Sequence, residues 1–502
     1  MAVEQARSEM KPTKSSYPLP FWVAWAIELW ERFGFYGMQA IIALFFVRSL
    51  GYSSQESFYI FGSFSAFCYG FVWIGGWVGD KYLGAKRSIV IGAIILMLSY
   101  AAMALATKES IFFALAGIIV GNALFKANPS SLISKIYGQG NPQLDGAMTM
   151  YYVAVNVGSL LSMSITPIIA EVWGWHYAFW VCSFGLLLGI INFCIFLPKM
   201  QNLATEAGKR PFSIIRILFV IVAAAIATII IGNILEYTAL ITTATFIVSG
   251  LCFIYFLYCA FKQPSDVRNR MIISLILMIQ AIVFFTLYQQ MPTSLNFFAA
   301  HNVDRSLGSW MIPAAEFQLL NPLVIVLMAP VLAFFYRKTP GTHATKFCFG
   351  MSLCALAFLV LYIPQFTVSS NGLASPWWLV LSYWLQSTGE LLVSALGLAM
   401  VAELCPASMS GFVMGIWFLT SMLSGPIGAW VGNMTQPVGN ESLTALESIS
   451  IYSNAFGEIG LATAIVAVIM WAMRPMLNRY TNPEIEQQRI SESILDVKPV
   501  TV

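Results

Sequence analysis

FWVAWAIELWERFGFYGMQAIIALFFV, residues 21–47, is apolar enough to cross a bilayer, yet Glu28, Glu31 and Arg32 interrupt it. On translocon scales a charged side chain at the bilayer centre costs about 2.5–3.5 kcal/mol, so such groups face a bundle interior or a watery cavity. A lone helix could not shelter three of them. The stretch therefore predicts a bundle of spanning helices built around a polar pathway.

The composition of the chain agrees. Of its 502 residues 58% are hydrophobic and 10% charged, and mean hydropathy is +0.76, as for a chain whose solvent is mostly lipid. The net charge of +3 is spread over short loops, without the basic stripe that nucleic acid needs, so no nucleic-acid partner is expected. The eight cysteines show no CxxC and no spaced His partner, and read as small core hydrophobes. His176, His301 and His343 fall at loops or helix ends. No metal spacing, catalytic triad or phosphate loop is found, so neither an enzyme nor a bound cofactor is expected. Residues 1–17 are polar and lack the short apolar core of a cleaved signal peptide, and the first spanning helix is read as the insertion signal.

Apolar runs of spanning length fall at about 20–48, 55–80, 88–106, 110–136, 145–172 and 176–198. After the polar stretch 199–211 come two more, near 213–234 and 239–261, then six at about 271–291, 317–337, 346–365, 376–403, 408–432 and 452–474. Lys and Arg settle the orientation, because cytoplasmic loops carry their excess. With fourteen spans nearly all of them lie on one side, among them Lys81, Lys86, Arg87, Lys135, Lys199, Lys209, Arg210, Lys262 and Arg474; only Arg48, Lys108 and Arg305 lie opposite. Dropping one span would invert everything after it. The expected fold is an all-α polytopic membrane protein: a six-helix bundle in residues 1–198, a linker with two further helices in 199–265, and a second six-helix bundle with a tail in 266–502, both termini cytoplasmic. Two such bundles hold a substrate between them near the midplane in many transporters. Gly76-Trp77-Val78-Gly79-Asp80-Lys81-Tyr82-Leu83-Gly84-Ala85-Lys86-Arg87 resembles the signature loop of the major facilitator superfamily.

Glu28 and Glu31, Glu28 and Arg32, and Arg32 and Tyr36 are three or four residues apart, so one helix face carries acid, acid, base and phenol. A static buried ion network is the alternative, but buried ion pairs stabilise poorly beside apolar packing. Lys126 lies deep in the fourth span, where its stem could also snorkel. Glu390 lies mid-span in the second bundle without a basic neighbour in sequence, so its partner must come from another helix; Lys126 is the obvious one. A carboxylate whose cation departs becomes a proton acceptor, which is the core of proton coupling. Asn156 and Asn321 sit in apolar segments beside Gly or Pro, where an amide demands partners.

Glu28-Leu29-Trp30-Glu31-Arg32-Phe33-Gly34-Phe35-Tyr36 resembles the ExxERFxYY motif of the proton-dependent oligopeptide transporter family. Tyr151-Tyr152-Val153-Ala154-Val155-Asn156-Val157-Gly158-Ser159, the acid motif from Glu390 to Ser394, Gln290-Met291-Pro292-Thr293-Ser294-Leu295-Asn296-Phe297-Phe298 and Gln318-Leu319-Leu320-Asn321-Pro322 also resemble the bacterial dipeptide and tripeptide permeases. The resemblance implies a major facilitator fold in the bacterial inner membrane that imports dipeptides and tripeptides together with protons, the protons being the coupling ion. It implies that Arg32 and Lys126 receive the peptide carboxylate. Glu390, with Asn321 and Asn156, would hold the amino terminus, and Tyr36, Tyr69, Trp417 and Ser394 would line side-chain pockets. Coupling would rest on Glu28, Glu31, Arg32 and Glu390, with Lys126 and Glu390 as the cytoplasmic gate. Two departures stand out. Phe35 replaces the first Tyr of the usual pair, and Gln39 and Gln289 stand where many members place an Arg and an acid, so a periplasmic gate closed by neutral amides is expected. The two extra helices read as filler or as an oligomer contact, which leaves a homo-oligomer open, with membrane lipid as the surrounding partner.

Overall fold

The charged first stretch forms α1 (Leu19–Arg48), a helix of 30 residues opened by prolines at Pro18 and Pro20. The computed structural model describes residues 17–481 apart from 139–140, 142, 201–202, 204, 339–341, 369, 407–408 and 437–442; side chains at 145, 336–338, 343, 394–400, 402–403, 410–411 and 481 are likewise outside the description. A capping box opens α2 (Ser54–Gly70): the Glu56 amide donates to Ser53 Oγ at 3.1 Å and the Ser53 amide to Glu56 Oε2 at 2.7 Å. The chain runs on through α3 (Val72–Trp77) and a π-helical turn, Val78–Tyr82. Gly84, at φ +93°, a conformation open to glycine, then turns it into α4 (Ala85–Ala104). The first half continues with α5 (Ile111–Lys126), α6 (Asn128–Tyr137), α7 (Gln143–Val172) and α8 (Trp175–Phe196).

Next come α9 (Ile214–Leu235) and α10 (Thr238–Phe261). The second half comprises α11 (Ser265–Tyr288), the short α12 (Ser294–Asn302), α13 (Leu320–Lys338), α14 (His343–Leu359), α15 (Pro376–Leu404), α16 (Ser410–Asn433) and α17 (Ala445–Thr481). Among the described residues the strand structure is one two-residue antiparallel pair, Ser306–Leu307 with Trp310–Met311.

Twelve helical segments among the described residues are long and apolar enough to span a membrane, so this is a multi-pass membrane protein. α1 and α15, of 30 and 29 residues, have the length as well. Within the first half α1 packs on α7 and α8, and α4 on α5 and α8; in the second, α14 packs on α15 and α17, and α11 on α15 and α16. The halves meet chiefly where α2 lies along α16. α9 and α10 are peripheral: 17% and 22% of their most apolar stretches are buried, against 83% for Ile111–Tyr137.

Glycine spacing sets one close crossing. A Cβ on Gly75 would stand 1.6 Å from the Ala123 carbonyl oxygen, and one on Gly79 would stand 1.8 Å from Asn128 Oδ1. This is the small-xxx-small pattern by which spanning helices approach. Backbone cannot yield as a side-chain tip can, so Gly75→Val is expected to cost more than the ~1–3 kcal/mol of ordinary overpacking. The measurement is the melting midpoint and yield of the detergent-solubilised protein.

The run read as 271–291 ends at Tyr288, because Pro292 cannot continue a helix, and α12 follows as a separate short element. The last span, read as 452–474, belongs to a helix reaching from Ala445 to Thr481, whose polar end turns escape a hydropathy reading.

Candidate functional site

A cavity of about 470 Å³ opens between the two halves, within the range of small-molecule sites. Glu28, Tyr36, Tyr69, Lys126, Tyr151 and Asn156 reach it from the first half, and Tyr288, Asn321, Glu390 and Phe418 from the second. Trp73, Ser130 and Ile325 carry the lining toward the end where Lys81, Lys86, Lys135 and Lys209 cluster, the basic end of the molecule.

Helix geometry places the charged trio at the wall. Arg32 Nε lies 3.3 Å from Glu28 Oε1, one turn back on α1, and Arg32 Nη2 lies 2.5 Å from Glu31 Oε2. Glu28 faces the cavity, whereas Arg32 and Glu31 are 1% and 0% exposed and stand behind it. The guanidinium carbon is 5.2 Å from the Phe35 ring centre and 5.8 Å from that of Tyr36, so the cation is held between carboxylates and aromatic faces. Glu31 Oε1 is buried without a hydrogen-bond partner.

Lys126 owes its place to a helix break. Pro129, lacking an N–H, cannot bond back to Phe125, and Asn128 Nδ2 donates to Leu124 O at 2.7 Å and to Gly75 O at 3.2 Å. The last residue before the break thus points its amine into the cavity, within electrostatic reach of Arg32, Glu31 and Glu28. Across the cavity, Asn321 Nδ2 donates to Glu390 Oε2 at 2.7 Å and to Ser387 Oγ at 3.0 Å, fixing the carboxylate by an amide. Among the described residues neither Lys126 nor Glu390 forms an ion pair.

Away from the basic end the halves touch. Gln289 Nε2 donates to Ser65 Oγ at 2.6 Å, while Asn296 Nδ2 and Gln318 Nε2 both donate to Ala40 O, at 3.0 and 2.9 Å. A Cβ on Gly62 would stand 2.6 Å from Gly425 O, and the rings of Phe58 and Phe297 meet edge to face at 5.0 Å. Charged side chains take no part in these contacts.

The structure gathers Glu28, Tyr36, Tyr69, Lys126, Asn156, Asn321 and Glu390 around one cavity. Trp417 is placed otherwise: 6% exposed, it packs on Phe285 with ring centres 6.3 Å apart, while its neighbour Phe418 takes the lining position. Gln39 is buried, and among the described residues its side chain makes no hydrogen bond to Gln289. The side chain of Ser394 lies outside the described residues. Phe284, Phe285, Tyr288 and Trp73 line the cavity without having been singled out in the sequence, since aromatic residues also crowd the lipid-facing sides of these helices.

The POT family profile matches residues 86–447. The chain is 42% identical to dipeptide and tripeptide permease B of Edwardsiella piscicida, covering 94% of this chain and 98% of that one. It is 45% identical to dipeptide and tripeptide permease A of Yersinia pestis, over 92% and 93%. Among solved structures, tetrameric PepTSo2 superposes with a TM-score of 0.82 at 36% identity, covering 91% of this chain and 98% of the other. These relatives are transporters and not enzymes. The chain belongs to the POT family.

Proposed function

We propose that the protein imports dipeptides and tripeptides with protons by alternating access, in a bacterial inner membrane, through fourteen spans: two six-helix bundles, 1–198 and 266–502, and the two helices of 199–265. The basic end is the cytoplasmic one, as the positive-inside rule requires, with both termini on that side. The observation that carries the reading is the cavity itself, which Lys126 and Glu390 face from opposite halves with neither engaged in an ion pair among the described residues. A zwitterionic peptide supplies the missing counter-charges. Lys126, joined by Arg32, takes its carboxylate; Glu390, held by Asn321 and neighboured by Asn156, takes its ammonium. Charges fixed at the two ends read length, and the aromatic walls tolerate varied side chains. Tyr36, Tyr69 and Phe418 shape the side-chain pockets, and Trp417 acts on them through Phe285, on which it packs.

Coupling begins at α1. Protonation of Glu28 or Glu31 weakens their hold on Arg32, which then turns to the incoming carboxylate. Lys126 and Glu390 pair to close the cytoplasmic mouth in the alternate state, and Gln289, through Ser65, with Gln39 buried nearby on α1, belongs to the neutral closure of the periplasmic one. Each charge moved inward gains about 2.3 kcal/mol per 100 mV, enough to drive accumulation. Tetrameric PepTSo2 is a precedent for an assembly in which the exposed α9 and α10 offer a contact face.

The test is uptake of labelled dialanine by proteoliposomes under an imposed inward proton gradient. Accumulation that collapses with the gradient and is competed by unlabelled dialanine supports the reading. Uptake indifferent to dialanine would favour the same scaffold carrying another solute such as nitrate, which would leave Glu390 without a task.

A further inference from the structure

A second cavity, of about 560 Å³, lies at the basic end and shares no lining residue with the central one. Leu203, Thr205, Gly208 and Phe212, from the linker between α8 and α9, roof it. Thr205 Oγ1 donates to Gly79 O at 3.0 Å and Arg210 Nη1 to Lys81 O at 3.4 Å. Gly84 and Gly208 lie so close that a Cβ on Gly84 would stand 2.6 Å from Gly208 Cα. Below this roof the walls are apolar: Val90 and Ile91 from α4, Cys194 from α8 and Ile217 from α9. Cys194 is exposed on the lipid-facing side of α8.

Lys86 and Arg87 stand together in the lining near the roof. Lys86 Nζ donates to Met200 O at 2.8 Å and Arg87 Nη1 to Leu83 O at 3.1 Å; both acceptors are neutral. Among the described residues neither cation has a carboxylate partner: Asp80 is paired with Lys135 at 3.8 Å and Glu206 with Lys209 at 2.8 Å. The Arg87 guanidinium lies 5.8 Å from the ring centre of Phe212. The N-terminus of α4, which no side chain caps, adds its partial positive charge to the same spot.

We propose that this cavity holds an anionic glycerophospholipid of the adjoining leaflet, its phosphate between Lys86 and Arg87 and an acyl chain along Val90, Ile91, Cys194 and Ile217. Two cations without carboxylate partners at headgroup depth select the negative head. The apolar walls below them select the tail, because a free phosphate would leave those walls against water. Held there, the lipid pins the linker to the turn at Gly84 and so ties α9 and α10 to the first half.

The experiment titrates the purified full-length chain with phosphatidylglycerol and with phosphatidylcholine, counting bound lipid by native mass spectrometry. A preference for phosphatidylglycerol of roughly fivefold per cation is expected. Lys86→Gln and Arg87→Gln each lose about that factor, and Arg87→Lys keeps it. Ile91→Trp, which fills the tail space and spares both cations, abolishes the bound lipid. Lys209→Gln, a cation off the cavity lining, retains the preference and shows that general surface charge is not its source. Equal binding of the two lipids, an equal loss in Lys209→Gln, or displacement by inorganic phosphate with Ile91→Trp unaffected would each overturn the proposal. The last would assign the cations to a free anion.

Discussion

Glu31→Gln is expected to cut gradient-driven dialanine accumulation by at least roughly tenfold while leaving peptide counterflow in the same proteoliposomes measurable. A tenfold loss corresponds to about 1.4 kcal/mol, modest beside the ~3–5 kcal/mol at stake when one partner of a buried ion pair is removed. Glu31 is 0% exposed and lies 2.5 Å from Arg32, whose other carboxylate partner, Glu28, stands at 3.3 Å. With an amide at position 31 only Glu28 still holds Arg32 through a proton-dependent charge, so on the proposed coupling the gradient loses most of its lever while the cavity persists. Counterflow separates this outcome from simple misfolding. Glu28→Gln is expected to behave in the same way. Full pH-driven accumulation in both variants would take the two acids out of the mechanism.

The second large effect is at Glu390. Replacing the carboxylate with an amide removes the charge proposed to meet a peptide ammonium and keeps the shape that Asn321 Nδ2 holds at 2.7 Å. A charge-assisted hydrogen bond contributes about 1.5–3 kcal/mol, so Glu390→Gln is expected to weaken dialanine competition by roughly 10- to 150-fold. Acetylated dialanine, which lacks the ammonium, should compete poorly against the unaltered protein and about as well as dialanine against the variant. If the variant still distinguished the two peptides as strongly as the parent, the amino terminus would be bound elsewhere.

The charged residues of this site could be read from the chain because lipid makes them conspicuous. Glu28, Glu31, Arg32, Lys126 and Glu390 are costly in apolar helices, and the structure buries or gathers all five around one cavity or directly behind it. The spans could be read for the same reason, since hydrocarbon thickness dictates their length. Helix rotation could not. Adjacent residues on a helix differ by about 100°, so Trp417 and Phe418 face different surroundings although composition treats them alike. Tyr288, Phe284 and Phe285 escaped notice because aromatic rings such as Trp180 and Phe184 lie on outward sides with equal ease. The π-helical turn at Val78–Tyr82 lies at a long-range contact, Thr205 Oγ1 to Gly79 O, which periodicity does not contain, whereas the break after Lys126 carries its own signal in Pro129.

The closure away from the basic end joins amide to hydroxyl, amide to carbonyl and glycine to glycine. Dissolved electrolyte largely screens exposed charges more than about 8 Å apart at physiological strength, and these particular contacts carry no charge for it to act on. The grip of these amide and glycine contacts should therefore be the same in dilute and in briny surroundings, leaving salt only the rim charges of Arg48, Glu171 and Arg305 to act on.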